Sequence, residues 1–167
     1  MQGGRDIPLN PRGHSQASAA GFILRDLIKR DGRTIDQLDF VASPLIRARV
    51  TMELVRESLG IARENYRLDD RLRELGYGEW EGLTLPEMQK HDPGVFEMRG
   101  LDKWNIAPPA GETYAAVTLR MKEWYDSLTS DTVAVAHGGT MRALGVALAL
   151  NSPQEAADIN VRQGVVY

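Results

Sequence analysis

Apolar residues follow two patterns along this chain: short continuous runs, which predict strands, and helical spacing, which predicts helices. A short apolar run rich in β-branched residues at 132–136 is typical of a buried strand, and 38–42 also resembles a short strand. A further strand is expected to start at 165–167. Apolar positions at helical spacing predict amphipathic helices between these runs.

Polar residues at the starts of these periodic segments sharpen the predicted helix boundaries. Asn10 is expected to cap a helix with Pro11 in its first turn, and Thr113 is expected to cap another. Thr140 is a candidate cap for a helix that carries Met141 on its apolar face. Leu45, Ala48, Met52, Val55 and Leu59 share one side of a second predicted helix, and Tyr114, Val117, Met121, Trp124 and Leu128 share a face of the helix that Thr113 caps. A short helix is predicted at 86–91, ended by Asp92 and Pro93, and a helical turn after Pro153. The segment 63–82 is expected to be an ordered loop and 94–111 an irregular stretch.

Strands that alternate with helices predict an α/β fold. We expect a three-layer αβα sandwich with a mainly parallel sheet, because crossover helices cover both faces of such a sheet. The length of 167 residues suits a single domain, and no linker or internal repeat divides the chain.

The composition narrows the classes of function. A formal net charge of -3 gives no overall attraction for nucleic acid or an anionic membrane, so an anion site must be built locally. The absence of cysteine excludes disulfides and thiolate chemistry. His14, His91 and His137 lack metal-ligand spacing, so neither a metal nor another cofactor is expected. The sequence has no bilayer-length apolar run and residues 1–20 do not resemble a secretory signal, which favours the cytoplasm.

Two residues at the ends of predicted strands could contact an anion. His137 ends the run 132–136, and the glycines after it let a ligand approach the backbone N–H groups. Arg47 follows the other run, and its guanidinium suits phosphate or carboxylate oxygens. Each also has an ordinary structural interpretation, His137 as a core histidine and Arg47 as a surface ion-pair residue.

Phosphoryl transfer would also need a proton donor for the leaving oxygen. Glu74, Glu79 and Glu81 all lie in the glycine- and aromatic-rich loop at 63–82. The residues alone do not distinguish among the three, and each is equally compatible with a solvated loop charge.

Four longer segments follow one another along the chain: S-P-L-I-R-A-R-V-T at 43–51, L-R-E-L-G-Y-G-E-W-E-G at 72–82, P-P-A-G-E-T at 108–113 and V-A-H-G-G-T-M-R at 135–142. In order and spacing they resemble the histidine phosphatase superfamily, in its phosphoglycerate mutase-like branch. The segment Q-G-G-R-D-I-P-L-N-P-R-G at 2–13 also resembles the early loop of that family. The resemblance covers nearly the whole chain and is stronger evidence for the family than for a substrate.

The resemblance implies metal-independent cleavage of a small phosphorylated substrate through a phosphohistidine intermediate, with inorganic phosphate as product. By position, it implies that Arg47 binds phosphate and that His137 stabilises the phosphoryl oxygens. Glu74 would protonate the leaving oxygen and then activate water. A backbone phosphate contact is implied at Gly138, early-loop substrate contacts at Gln2 and Gly3, and supporting loop roles at Glu79 and Glu81.

The chain departs from the family pattern at the nucleophile. In the family the attacking histidine belongs to an R-H-G motif at the end of the first, central strand, and residues 1–167 contain no such triplet. The triplet Arg12-Gly13-His14 has another order and falls in the first turns of a predicted helix, so His14 is expected to face solvent. We therefore expect the first strand to lie upstream of Met1, the domain to be truncated at both ends, and residues 1–167 alone to be inactive.

Other functions stay open at this stage. A non-catalytic phosphate-binding protein would keep Arg47 and His137 without the nucleophile, and a phosphoglycerate-type mutase, an isomerase, would share the same site. The compact stretch between Gly82 and Pro108 favours a phosphatase, because the cofactor-dependent mutases of the family usually carry a longer insertion there. The sequence does not fix the oligomeric state, since a half-buried aromatic face suits a homodimer as well as a core.

Overall fold

A computed structural model of the protein describes residues 2–167, which divide into two compact units. The sheet unit comprises residues 6–72, 127–136 and 162–167. The helical unit comprises residues 2–5, 73–126 and 137–161. Each unit buries apolar side chains of its own.

The sheet unit combines helices with a parallel sheet, as the alternating apolar pattern predicts. Its helices and strands are α1 (Pro11–Arg30), β1 (Asp39–Ala42), α2 (Ile46–Ser58), β2 (Arg67–Leu68) and β3 (Thr132–Val135). The described strands are hydrogen-bonded in the order β2-β1-β3, and both neighbours of β1 run parallel to it. Since β1 is central, most of its side chains are buried.

Side chains cap the starts of both helices of the sheet unit. The Asn10 side chain accepts a hydrogen bond of 2.8 Å from the Gly13 N–H, which confirms the predicted cap of α1. At α2, Asp6 Oδ1 accepts a hydrogen bond of 2.5 Å from the Ile46 N–H. A carboxylate at a helix N-terminus is also stabilised by the helix dipole, so Asp6 fixes the turn in which Arg47 lies.

The core of the sheet unit is formed by the facing sides of its helices and β1. Each large apolar side chain fully buried in such a core stabilises the fold by about 1.5–3 kcal/mol. Met52 and Val55 on α2 are fully or almost fully buried, as their helical spacing predicts. The buried residues of this core are Ile28, Phe40, Ala42, Met52, Val55 and Leu59.

Five described helices form most of the helical unit: α3 (Leu85–His91), α4 (Pro93–Leu101), α5 (Tyr114–Asp126), α6 (Gly138–Ala147) and α7 (Pro153–Asp158). Among them, α3 packs against α4, α5 against α6, and α6 against α7. On α5, Tyr114, Val117, Met121 and Trp124 are buried on one face, as predicted, whereas Leu128 lies beyond the end of the helix. The Thr113 hydroxyl accepts a hydrogen bond of 3.0 Å from the Ala116 N–H, which confirms the predicted cap.

Two local predictions are wrong. The stretch 94–111 was expected to be irregular, but α4 occupies most of its first half, because Pro93 starts a helix and Asp92 caps it by accepting a 3.0 Å hydrogen bond from the Val95 N–H. Residues 165–167 form no strand. None of the helices in the described chain is both long and apolar enough to cross a membrane.

Candidate active site

The Glu74 side chain lies against the start of α6, where it contacts the Gly139 backbone. The Gly139 N–H lies 3.0 Å from Glu74 Oε1 and 3.2 Å from Oε2, and the Leu75 N–H donates to Oε1 at 2.8 Å. The first N–H groups of a helix lack partners within the helix and carry partial positive charge, so a carboxylate is stabilised there. The contact joins residues 65 positions apart in the chain.

Gly139 has to be glycine for this contact to form. A Cβ at this position would lie 2.3 Å from Glu74 Oε1 and 3.2 Å from the Leu75 Cβ. The first distance is well inside van der Waals contact, so either the carboxylate or the helix start would have to move. The second glycine of the H-G-G motif is therefore explained by the close approach of Glu74.

His137 is the N-cap of α6, and the predicted cap at Thr140 is wrong. His137 has an extended backbone, with φ -134° and ψ 170°, directly before the first helical residue. Thr140, in the first turn, accepts a 3.0 Å hydrogen bond from the His137 N–H and donates one of 2.9 Å to the His137 carbonyl. The buried Thr140 hydroxyl therefore fixes the backbone of His137 through these two hydrogen bonds. The half-buried His137 imidazole projects from that backbone.

A second acidic side chain, Glu81, anchors the early loop that contains Gln2 and Gly3. Glu81 Oε1 accepts a 2.7 Å hydrogen bond from the Gly4 N–H and a 3.3 Å one from the Tyr77 N–H. Gly3 has a φ of +51°, and a Cβ there would lie 2.6 Å from the same oxygen. The early loop therefore passes directly over the Glu81 carboxylate, within the helical unit.

The three acidic candidates of the sequence thus occupy different environments. Glu74 contacts the start of α6, and Glu81 holds the early loop. Glu79 has an exposed side chain, and one of its oxygens lies 3.8 Å from His91 Nε2. The residue types alone left all three open, because the Gly139 and Gly4 N–H groups that distinguish Glu74 and Glu81 lie 65 and 77 positions away in the chain.

The remaining candidates lie on α1 and α2. Arg47, in the first turn of α2 in the sheet unit, is half-buried, and its carbonyl accepts a 2.8 Å hydrogen bond from the Thr51 hydroxyl. His14 is exposed on α1, as predicted. Among residues 2–167, no three or more His, Asp or Glu side chains are grouped so that they could hold a metal ion.

Tyr114 is a neighbour of this site that sequence reasoning assigned only to a helix core. Its ring stacks on Trp104 with centroids 4.9 Å apart, and it is almost fully buried. Burial, reinforced by the neighbouring Tyr77, raises the pKa of Tyr114 to about 12. The Tyr114 phenol is therefore neutral at ordinary pH, so it can form hydrogen bonds but cannot act as a base.

A sequence profile described as the histidine phosphatase superfamily (branch 1) matches residues 1–167. The chain belongs to the histidine phosphatase superfamily. This confirms the family that the four sequence segments resemble. The three-stranded parallel sheet and its helices are accordingly a mixed α/β histidine phosphatase fold.

Two curated members of the superfamily illustrate the range of similar proteins. A 2,3-bisphosphoglycerate-dependent phosphoglycerate mutase from Methylobacterium radiotolerans is 32% identical, in an alignment that covers 98% of this chain and 77% of the mutase. A glucosyl-3-phosphoglycerate phosphatase from Mycobacterium tuberculosis is 35% identical, with 89% of this chain and 67% of the phosphatase aligned. Both mutases and phosphatases are thus similar to this chain.

Solved structures agree with the fold. The native mycobacterial glucosyl-3-phosphoglycerate phosphatase superposes with a TM-score of 0.75 at 30% identity, over 93% of this chain and 74% of that one. Structures of the mycobacterial enzyme have also been determined with inorganic phosphate and with VO3. An alpha-ribazole phosphatase from Shigella flexneri, at 22% identity, gives a TM-score of 0.81 over 98% of this chain and 78% of its own and shows the fold alone.

Proposed function

We propose that this histidine phosphatase is a metal-independent phosphomonoesterase that acts through a phosphohistidine intermediate. The observation that carries the proposal is the contact between the Glu74 carboxylate and the Gly139 N–H, two residues after His137. It places a proton-transfer group beside Gly138, the residue whose backbone N–H is assigned to a phosphoryl oxygen. Membership of the superfamily and the phosphatases among its similar members support the same chemistry.

The proposed reaction has two steps. An imidazole attacks phosphorus, the bond from phosphorus to the ester oxygen breaks, and Glu74 gives its proton to the leaving alkoxide. Water then attacks phosphorus and gives a proton to Glu74, the bond from phosphorus to the imidazole nitrogen breaks, and inorganic phosphate leaves. Charge on the phosphoryl oxygens is stabilised by His137, Arg47 and the Gly138 N–H, and Gln2 and Gly3 contact the substrate from the early loop.

The role of Glu74 is tested by the dependence of rate on the leaving group. Glu74→Gln, made in the complete reading frame, should slow hydrolysis of an alkyl ester such as glycerol 3-phosphate by about a hundredfold or more. It should slow 4-nitrophenyl phosphate much less, because nitrophenolate leaves without a proton. The ratio of kcat/KM for the two esters, wild type against variant, is the measurement.

Glu79→Gln is the matched control, because it makes the same chemical change on the same loop at an exposed position. The ratio of kcat/KM for the two esters should be the same in Glu79→Gln as in the wild type. Equal slowing of both esters by Glu74→Gln would contradict the assignment of Glu74 as the acid. His137→Ala and Arg47→Ala should each remove most activity on both esters while the circular dichroism spectrum stays that of a folded protein.

The nucleophile of the proposal belongs to an R-H-G motif, which residues 1–167 do not contain. The complete reading frame and the 167-residue chain are therefore assayed side by side. We expect turnover only where the motif is present. Two results together would favour the non-catalytic binding protein instead. The complete reading frame would lack the motif, and the 167-residue chain would bind phosphate or vanadate without turnover.

The similarity to a phosphoglycerate mutase makes isomerisation the second candidate. It is tested by incubating the complete protein with 3-phosphoglycerate and a trace of 2,3-bisphosphoglycerate. A phosphatase releases inorganic phosphate, whereas a mutase forms 2-phosphoglycerate and releases little phosphate. We expect phosphate release.

A further inference from the structure

The segment 108–113, one of the four motifs in the sequence, lies along the loop that carries Glu74. The Glu112 N–H donates a hydrogen bond of 2.9 Å to the Gly76 carbonyl. A Cβ on Gly111 would lie 2.7 Å from the same carbonyl oxygen, so the two segments are too close for a side chain at that position. The G-E pair of the P-P-A-G-E-T motif is therefore explained by its contact with the loop of the candidate acid.

The Glu112 side chain binds the same residue of that loop. Its Oε2 accepts a hydrogen bond of 2.9 Å from the Gly76 N–H. Gly76 thus donates to the Glu112 carboxylate and accepts from the Glu112 N–H. Because glycine has no side chain to restrict its φ and ψ, these two hydrogen bonds fix a backbone that is otherwise flexible. They do so two residues after Glu74.

Arg120 of α5 holds the backbone on the other side of Glu74. Its Nη1 donates a hydrogen bond of 2.8 Å to the carbonyl of Arg73, the residue directly before Glu74. Its Nη2 lies 3.2 Å from Glu112 Oε2 and 3.3 Å from Oε1. The planar guanidinium presents its donors in a fixed geometry, so one arginine can bind a carbonyl and a carboxylate together. Glu112 and Arg120 therefore form a connected pair that contacts the backbone before and after Glu74.

The geometry of Glu74 depends on this stretch of backbone. Its carboxylate lies 3.0 Å from the Gly139 N–H, and a proton-transfer group has to stay within hydrogen-bond reach of the oxygen that it protonates. A misplacement of about 1 Å can lower a rate by about a hundredfold. The pair that fixes residues 73 and 76 therefore acts directly on the placement of the acid.

The Glu112–Arg120 ion pair also has an ordinary structural interpretation. The Arg120 side chain is 20% exposed and that of Glu112 is 40% exposed, and ion pairs near the surface contribute little to stability because water screens them. Removing the pair should therefore cost little stability. A large loss of rate that depends on the leaving group would have to come from the position of Glu74.

We propose that Glu112 and Arg120 are positioning residues for Glu74. They hold the backbone on both sides of it, so that its carboxylate stays against the Gly139 N–H and within reach of the leaving oxygen. Their effect on the reaction passes through Glu74. This rests on the proposed function, since it takes Glu74 as the proton donor.

The dependence of rate on the leaving group tests the inference in the complete reading frame. Arg120→Met and Glu112→Ala should each lower kcat/KM for glycerol 3-phosphate by about tenfold or more, because the alkoxide needs a well-placed acid. The value for 4-nitrophenyl phosphate should change by less than about threefold, because nitrophenolate leaves without a proton. Glu112→Gln should restore most of the rate for glycerol 3-phosphate, since its amide oxygen can still accept from the Gly76 N–H.

A double variant shows whether Arg120 acts through Glu74. In the Glu74→Gln protein, which lacks the proton donor, adding Arg120→Met should not slow hydrolysis of glycerol 3-phosphate further. Lys122→Met is the matched control, because Lys122 lies on the same helix and pairs with Asp126 at the surface. It should leave the rates for both esters unchanged, alone and combined with Glu74→Gln.

The amide resonance of Gly139 gives a readout that does not depend on turnover. In a proton–nitrogen correlation spectrum, Glu74→Gln should shift this resonance, because the Gly139 N–H loses its carboxylate acceptor. Arg120→Met should shift it in the same direction, and Lys122→Met should leave it in place. Circular dichroism shows which variants fold, and Arg120→Met and Glu112→Ala replace each other if one of them does not.

Two kinetic results would overturn the inference: an unchanged rate for glycerol 3-phosphate in Arg120→Met and Glu112→Ala, or equal slowing of both esters by them. Slowing of the Glu74→Gln protein by Arg120→Met to the same extent as the wild type would also overturn it, and so would an unmoved Gly139 resonance. A wild type that hydrolyses neither ester would overturn the proposed function, whereas the resonance would still show whether Arg120 holds the Glu74 carboxylate in place.

Discussion

Gly139 shows how one missing methyl group can decide the geometry of a site. The Gly139 N–H binds Glu74, and a Cβ would occupy the space that the carboxylate fills. We expect Gly139→Ala to displace Glu74 and to lower kcat/KM for alkyl phosphates by about a hundredfold, the usual cost of losing one aligned catalytic group. Steady-state kinetics on the complete reading frame measure this.

Gly100→Ala is the control for that prediction, since nothing lies within 4 Å of the Cβ that it would add. Gly100 is within α4, where alanine is favoured over glycine by about 0.5–1 kcal/mol. It should therefore stabilise the protein slightly in urea unfolding and leave kcat/KM unchanged. If Gly139→Ala behaves in the same way, the close approach of Glu74 has no catalytic importance.

At the scale of elements, the early loop is held mainly through Glu81. The Gly4 and Tyr77 N–H groups share one carboxylate oxygen, and hydrogen bonds to a charged group are each stabilising by about 1.5–3 kcal/mol. Glu81→Ala should free the loop, raise KM for phosphate esters roughly ten- to hundredfold with a smaller change in kcat, and speed tryptic cleavage after Arg5.

Glu81→Gln should restore much of the affinity, because its amide oxygen can still accept from Gly4. Glu79→Ala removes a carboxylate from the same loop without touching these donors, so neither KM nor the cleavage rate should change. A Glu81→Ala protein with a lower kcat and an unaltered KM would show that Glu81 acts on the chemical step and not on substrate binding.

The elements that the sequence predicted well are those whose boundary signals are local. Asn10 and Thr113 cap their helices through contacts with N–H groups three residues away, so the residue types alone locate α1 and α5. Thr140 misled because a threonine in a first turn can reach back to a histidine cap. Pro93 marks the predicted end of the helix at 86–91, but it also starts α4, because proline suits the first helical position.

The candidate site was predictable only as a set of residue types. His137 and Arg47 follow strands, and that position can be read from a pattern. The contacts of Glu74 with Gly139 and of Glu81 with Gly4 span 65 and 77 residues, so they depend on the tertiary fold.

At the scale of the whole molecule, we expect the free energy of unfolding to decrease in acid. A hydrogen bond from Arg71 lowers the pKa of Asp69, and one from Arg67 lowers that of Asp39. Because both folded pKa values lie below the ordinary 3.8, this stabilisation is fully present above pH 3.8 and is lost as pH falls through the lowered values. Urea unfolding should give a free energy that declines below about pH 4.

Asp69→Asn separates this effect from general acid unfolding. The variant should be less stable than the wild type at neutral pH, because the charged hydrogen bond to Arg71 is lost. Its stability should then fall less steeply below about pH 4, because residue 69 no longer takes up a proton on unfolding. Parallel acid slopes for the two proteins would show that Asp69 is not among the groups responsible.

The sheet order β2-β1-β3 also means that β1 pairs with a strand that is synthesised much later. Asp39 of β1 pairs with Thr132 of β3, so roughly 90 residues must be made between the two halves of that ladder. At about 5–20 residues per second, β1 is synthesised roughly 5–20 s before β3. During that interval the apolar side chains of β1 can be covered only by α1, α2 and β2, and a nascent chain stopped before residue 132 should be prone to aggregate.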